Sequence, residues 1–571
     1  MREQIRPAVR VNQLGYLPAG PKGATWVTDD PAATEFAVHS ADGAAVFRGL
    51  SRPWPVRPEP TSGQAVQVLD FTPVTEPGTY RVVVGGQASH RFRIAADLYD
   101  RLARDALGLF YLLRSGCPID ERRAPGYGRP AGHAGHPPNR GDTAVAGWSG
   151  PDAARLYPGW TPSGLFDVSG GWYDAGDYGK YTVSGGIALW QLLNLAGLLG
   201  QASPADAGPV SRESLVEECR WQLDWLLRMQ VPAGRALAGM AFHRVHGTEW
   251  SPVPGHAHED TTLRVLHRPS TTATLHLAAV AAQGARLLRP VDAAYADRLL
   301  AAARTAHQAA HAHPDLLAPD DEGAFGGGPY GDPDPADDFY WAAAELWLAT
   351  GESGYLGEVL GSAQHTADVF EPTGFDFHRV AGPARLDLAT AGRRLPDHAR
   401  VCDTVIRAGQ RLLELQQGQP WGQPYAPPDG WDWGSNGRIL NNLVVLATAH
   451  RITDDQRFHD AVATGVDYLL GRNALGQSYV TGYGTDATRH LRTRQFGHDL
   501  DPAFPPPPPG ALAGGANSTH TPGFPSDPRI AGRAPQCCYL DEPTSETTND
   551  ICIRWNAPLA YIAAYLAVTG R

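Results

Sequence analysis

Lysine is almost missing from this chain. Lys22 and Lys180 are the only two among 571 residues, and every other fixed cation is arginine. With 64 glycines and 49 prolines, this reads as the codon bias of a GC-rich genome rather than as function. Cysteine is scarce too: Cys117, Cys219, Cys402, Cys537, Cys538 and Cys552 are too scattered for a disulfide framework. The adjacent Cys537-Cys538 pair matches no common zinc spacing. No run of 18 apolar residues is present, so no membrane span is expected. Met1–Pro7 has no apolar stretch of the kind a secretory leader carries, and a cytoplasmic location is the expectation. A net charge of -12 disfavours nucleic acid and anionic membranes as partners and suits a neutral or cationic ligand.

What is present divides in two. Residues 8 to about 94 hold short alternating runs, such as Thr34–His39 and Tyr80–Val84, split by Asp42-Gly43 and Pro77-Gly78. This pattern predicts a small immunoglobulin-like β-sandwich over 1–96 with no cysteine in it. From Leu98 the apolar period becomes helical. Stripes run through 99–115, 183–200, 214–230, 271–289, 293–311, 337–350, 397–416, 436–452, 457–471 and 551–568. Paired helices joined by long Gly/Pro-rich loops predict a mainly α unit over 97–571, a helical barrel with its site on the loop face.

The densest chemistry lies in Gly170-Gly171-Trp172-Tyr173-Asp174-Ala175-Gly176-Asp177-Tyr178-Gly179-Lys180-Tyr181. Two carboxylates stand three residues apart among glycines and aromatics, just before an apolar helix. One helix cap needs one Asp, whereas paired acids beside aromatic faces suit a water held by carboxylate next to a sugar ring.

These residues resemble glycoside hydrolase family 9, the cellulase and cellodextrinase family. The resemblance covers essentially the whole chain. It runs from Val11–Tyr16 through Asp174–Asp177, Pro269–Thr274, Phe339–Leu346, Gly434–Asn436 and Leu470–Gly484 to Trp555–Leu559. It implies an (α/α)6 barrel after an immunoglobulin-like domain and an inverting mechanism. In such a mechanism two carboxyl groups stand roughly 6.5–9.5 Å apart with a water between base and sugar. Carried onto this chain, Asp177 is the general base and Asp174 helps hold the water, with Trp172 and Tyr173 beside the substrate.

Two departures from the family pattern stand out. The family's acid is a Glu after Asn, and here Asn549 is followed by Asp550, shorter by one methylene. Asp550 as acid, Glu546 reaching in instead, and a weak or inactive hydrolase rank in that order. The family's sugar-contact run Pro-His-His-Arg is replaced by Leu491-Arg492-Thr493-Arg494. Arg494 matches the family Arg, and Arg492 brings a second guanidinium that disfavours an aminosugar.

Tyr425, Trp431 and Trp433, with Trp421, gather in one loop and suggest a sugar-stacking wall. His256, His258, Glu259 and Asp260 read as a solvated loop. His133 and His136 without a cysteine make a poor zinc set, so zinc is not expected. Asp332, Asp334, Asp337 and Asp338 suit either calcium or capping of the next helix. No cofactor is expected for catalysis. The expected function is inverting hydrolysis of β-1,4-linked gluco-oligosaccharides such as cellodextrins. The alternatives are an exo-β-glucosaminidase, a glycosidase of another β-linked oligosaccharide, or an impaired sugar-binding homologue.

Overall fold

The computed structural model describes residues 6–200, 208–319, 326–521 and 523–570. Its first strands are β1 (Val9–Arg10), β2 (Gly15–Tyr16), β3 (Gly23–Val27), β4 (Glu35–Ser40), β5 (Ala45–Leu50), β6 (Arg52–Pro53), β7 (Val66–Asp70), β8 (Gly78–Val84), β9 (Gln87–Ala88) and β10 (Phe92–Ile94). One sheet has the order β1-β3-β7-β6 and the other β2-β10-β8-β4-β5, with β9 paired on β8. Strand β8 shows why they stack: Tyr80, Val82 and Val84 face inward at period two. They meet Trp26 and Leu69 of the other sheet in one core, where Tyr16 packs edge-on to Phe71 and Phe92.

Twelve helices of nine residues or more follow among the described residues. They are α1 (Asp100–Leu112), α2 (Thr182–Leu199), α3 (Arg212–Met229), α4 (Thr271–Leu288), α5 (Ala293–Ala312), α6 (Ala336–Thr350), α7 (Ser353–Gly361), α8 (Ala381–Thr390), α9 (His398–Gln417), α10 (Ser435–Thr453), α11 (Gln456–Leu469) and α12 (Ile553–Thr569). The even-numbered helices touch in succession, α2 to α4, α6, α8, α10 and α12, and α12 returns to α2. Each odd-numbered helix packs outside that ring against an even-numbered one. Burial matches this division. Helix α8 is buried from Ala381 to Ala389, whereas α9 buries one stripe (Val401, Val405, Ala408, Leu412).

Helices α7 and α8 were not visible as apolar stripes, for opposite reasons. Only Val359 of α7 is buried, and α8 is buried on every face, so neither shows a 3.6-residue contrast. By length and composition α2 could cross a bilayer, contrary to the expectation of no such segment. It is instead an inner-ring helix, with 78% of its residues buried within the protein.

Several segments that carry the resemblance join the two domains. Asn12 donates to Asp467 Oδ1 at 2.9 Å, Gln13 to the Gly476 carbonyl at 2.9 Å, and Arg472 to Thr25 Oγ1 at 3.2 Å. Both lysines are buried. Lys22 Nζ donates to the carbonyls of Pro18, Gly20 and Thr72. Lys180 Nζ donates to Val168 and Gly170 and pairs with Asp142 at 2.8 Å. A compact ammonium with three donors fits these carbonyl nests, where a planar guanidinium does not.

Candidate active site

The functional side chains lie on the segments that lead into the N-termini of inner helices: Asp174–Tyr181 before α2, Gly328–Tyr330 before α6, Asp432–Trp433 before α10 and Asp550–Cys552 before α12. With Trp250, Arg492 and Arg494 they line a cleft of about 280 Å3.

Gly170 and Gly171 adopt φ of 88° and 75°, turning the chain beneath the cleft. Past Asp174 the segment runs against the other end of the chain. Ala175 bridges Cys552, and the Ile553 amide donates to the Asp174 carbonyl at 2.8 Å. At Gly176 the approach is closest. A Cβ there would lie 2.2 Å from the Arg492 carbonyl oxygen and 2.6 Å from Asp550 Oδ1, so only glycine fits. Arg494 closes the other side, donating from its backbone and its guanidinium to the Gly176 carbonyl at 3.0 Å each.

Asp550 is positioned by Asn549, which accepts from Tyr539 and donates to the His490 carbonyl, both at 2.6 Å. Arg492 and Asp550 form a parallel bridge. The Arg492 guanidinium turns to Glu546, 3.1 Å away. Glu546 is thus engaged in an ion pair at the cleft edge.

Each of the three aspartates is tethered by one oxygen. Asp550 Oδ1 accepts from the amides of Gly176 (3.0 Å) and Ile551 (2.9 Å). Asp177 Oδ2 accepts from the Gly179 amide (2.9 Å) and the Tyr181 hydroxyl (3.3 Å). Asp174 Oδ2 accepts from the Tyr330 hydroxyl (2.5 Å) and lies 3.6 Å from the Cys552 thiol, while its buried Oδ1 has no partner. Orientation is therefore fixed, and the second oxygen of each group takes no hydrogen bond from the protein. Burial pushes the Asp174 carboxyl up to about 6 against the Tyr330 hydrogen bond. Burial also drives Asp550 well above the usual carboxylate range; Arg492 opposes the rise, and Asp177 and Glu546 add to it. One acid is poised to hold its proton beside others suited to activate water.

The aromatic wall differs from the expected one. Trp172 and Tyr173 are buried, donating to Glu218 (2.7 Å) and hydrogen-bonded to His133 (2.7 Å) respectively. Tyr425 and Trp431 are fully buried and pack edge to face, with Trp421 also in the core. The expectation that these residues face the sugar is corrected: their rings fill the space under the loops. Trp433 does line the cleft, together with Trp250, Phe524 and Trp555. Trp250 is 40% exposed, and the Arg494 guanidinium lies over its ring at 5.6 Å. Sequence reasoning missed Trp250, Phe524, Tyr330 and Arg554. Trp250 was detectable, being a loop aromatic without helical spacing. Tyr330 and Arg554 were not, because their meaning depends on Asp174 and Asp376, which they meet only in the folded chain.

His133 spends both ring nitrogens on Tyr173 and Asp260, and His136 is exposed. The four acids around the start of α6 are divided in role. Asp334 caps the Ala336 amide at 3.0 Å, and Asp337 accepts from the Val380 amide at 2.5 Å. Asp332 Oδ2 and both Asp338 carboxylate oxygens are buried without a hydrogen bond, though His276 stands 3.1 Å from Asp338 Oδ1. Hard, buried, unsatisfied oxygens fit a calcium ion.

Comparison with known proteins places the chain in a family. The model of glycosyl hydrolase family 9 matches residues 99–563, and that of the cellulase N-terminal ig-like domain matches 4–89. Endoglucanase C of Cellulomonas fimi is 48% identical over 99% of this chain, which spans 52% of that protein's length. The cellodextrinase of Butyrivibrio fibrisolvens is 30% identical, with 97% of this chain and 98% of that protein covered. Among solved structures, AaCel9A in complex with cellobiose-like isofagomine is 27% identical with a TM-score of 0.82, covering 98% of this chain and 99% of that one.

Proposed function

Since this chain belongs to glycosyl hydrolase family 9, we propose that it hydrolyses β-1,4-linked gluco-oligosaccharides with inversion, and that its helical unit is an (α/α)6 barrel. The closed ring of even-numbered helices, each backed by an odd-numbered one, supports the barrel. The observation that carries the activity is the set of three cleft aspartates, each tethered by one oxygen and free at the other.

In this reading a water sits between Asp177 and the anomeric carbon, with Asp174 Oδ1 accepting its second hydrogen. Asp177 removes a proton as the water attacks. Asp550 delivers its own proton from Oδ2 to the leaving glycosidic oxygen, because both hydrogen bonds it accepts fall on Oδ1. Attack and departure on opposite faces invert the anomeric centre. Asp550 takes the acid role rather than Glu546, whose carboxylate is occupied by Arg492. Trp250, Trp433 and Trp555 offer apolar faces to the sugar rings. Arg492, Arg494 and Arg554 all line the cleft, which disfavours an ammonium-bearing aminosugar. We also propose a structural calcium held by Asp332 and Asp338, with Asp334 and Asp337 shaping the loop.

The test is turnover of cello- and chito-oligosaccharides with anomer-resolved NMR of the first product. An initial α-anomer from cello-oligosaccharides supports the proposal. An initial β-anomer would overturn inversion. Sugar binding with no turnover would make this chain an impaired homologue.

A further inference from the structure

Away from the cleft, helix α5 carries His307 and His311 one turn apart, so both side chains project from the same face. Glu358 of α7 stands opposite. The Nε2 atoms of both imidazoles converge on one carboxylate oxygen, Glu358 Oε2, at 3.0 Å from His307 and 3.2 Å from His311. Among the described residues this is the only set of three His, Cys, Asp or Glu ligand atoms lying within 4.8 Å of one another. We propose that His307, His311 and Glu358 form a surface site for a borderline divalent transition metal of the zinc type, clasping α5 to α7.

The donor chemistry selects the ion. Two imidazole nitrogens and one carboxylate oxygen suit Zn²⁺ and its neighbours, whereas calcium and magnesium prefer all-oxygen sets. The spacing suits it as well. With Zn–N bonds of about 2.0–2.1 Å, tetrahedral ligands stand roughly 3.3 Å apart. The existing separations of 3.0 and 3.2 Å need to open by only a few tenths of an ångström.

The ligands are also held and reachable. His307 is buried, with its ring edge-on to Tyr355 at 5.3 Å, and the His311 ring lies 4.8 Å from Phe339. The side chains of His311 (51% exposed) and Glu358 (38%) open to water, which leaves an entry path and a fourth position for a water ligand. Both helices belong to the outer set, so the ion would act on stability and not on hydrolysis.

The experiment is titration of the chelator-treated full chain with CoCl2, followed by visible d–d absorption, and with ZnCl2, followed by calorimetry. Intense four-coordinate bands and one tight site are expected. His311→Ala should abolish the bands and weaken zinc by more than the roughly 10–100-fold typical of losing an outer-shell partner. Glu358→Gln should weaken it too. Both substitutions fall on part-exposed side chains, so the fold survives, and hydrolysis should be unchanged in both. Zinc should raise Tm in the parent chain and not in His311→Ala. Equal affinity in the parent and both variants, or no tight site in the parent, would overturn the proposal.

Discussion

The Gly176 amide donates to Asp550 Oδ1 at 3.0 Å, joining two residues 374 positions apart. This bond brings the Asp174–Asp177 loop against the residue proposed as proton donor. The shorter acid is met by a backbone that has no side chain in the way.

Gly176→Ala is the most direct probe of that closeness. Its Cβ would collide with Arg492 O and Asp550 Oδ1, so the strand carrying the acid must shift. A displacement of about 1 Å should lower kcat on cello-oligosaccharides about 100-fold. Steady-state kinetics, with circular dichroism to verify the fold, reads the result.

The leaving group separates acid from base. Asp550→Asn should lose kcat by at least about 100-fold on unactivated oligosaccharides. It should keep far more of it on an aryl glycoside whose phenolate leaves without protonation. Asp177→Asn should be inactive on both. Comparable losses on both substrates for Asp550→Asn would move the acid role elsewhere.

The pH profile should follow the charges around each carboxyl. In the proposed mechanism Asp550 is protonated, so activity should be lost as pH rises through that group's pKa. Arg492→Gln removes a charge that favours the ionised form, and the alkaline limb should move up. Glu546→Gln removes a charge that favours the protonated form, and the limb should move down. Asp174 must be ionised and lies at about 6, so the acidic limb should fall near there. Tyr330→Phe deletes a donor to the ionised form and should move that limb upward.

Wall and core aromatics should separate cleanly. Trp250→Ala or Trp433→Ala should raise KM about 3- to 10-fold, with Tm nearly unchanged for the exposed Trp250, matching about 0.5–1.5 kcal/mol of ring contact. Trp431→Ala instead empties buried space and should destabilise the fold by about 3–5 kcal/mol. Calorimetry and kinetics on the same three variants decide it.

Calcium should be measurable by elemental analysis of the purified protein. Treatment with EGTA should lower Tm, and added CaCl2 should restore it. Asp338→Asn should remove both responses while the fold persists. An EGTA-insensitive Tm would count against the site.

Much of this was legible beforehand wherever a local pattern carries the information. Ten of the twelve described helices were legible, the outer ones from a single apolar stripe and the inner ones from long, mostly apolar runs. The two that stayed hidden, α7 and α8, are the shortest and carry neither signal. The paired acids of Asp174 and Asp177 stood out because their neighbours are unusual for a helix cap. The aromatic wall was mostly misread, only Trp433 of its four expected members lining the cleft, since a tryptophan in a loop looks the same whether it points at solvent or core. Trp431 and Trp433 are two residues apart and end in different environments.

The sequence by itself determined the β-then-α order, the family resemblance and the choice of three aspartates that come to line one cleft. These depend on periodicity and on residue type, which the chain carries locally. Only the tertiary structure decided that Asp550 meets Gly176, that Glu546 is held by Arg492, and that Tyr330 tethers Asp174. Each of these pairs residues far apart in the chain. Their partnership exists because the ring of inner helices closes and brings its entry loops to one face.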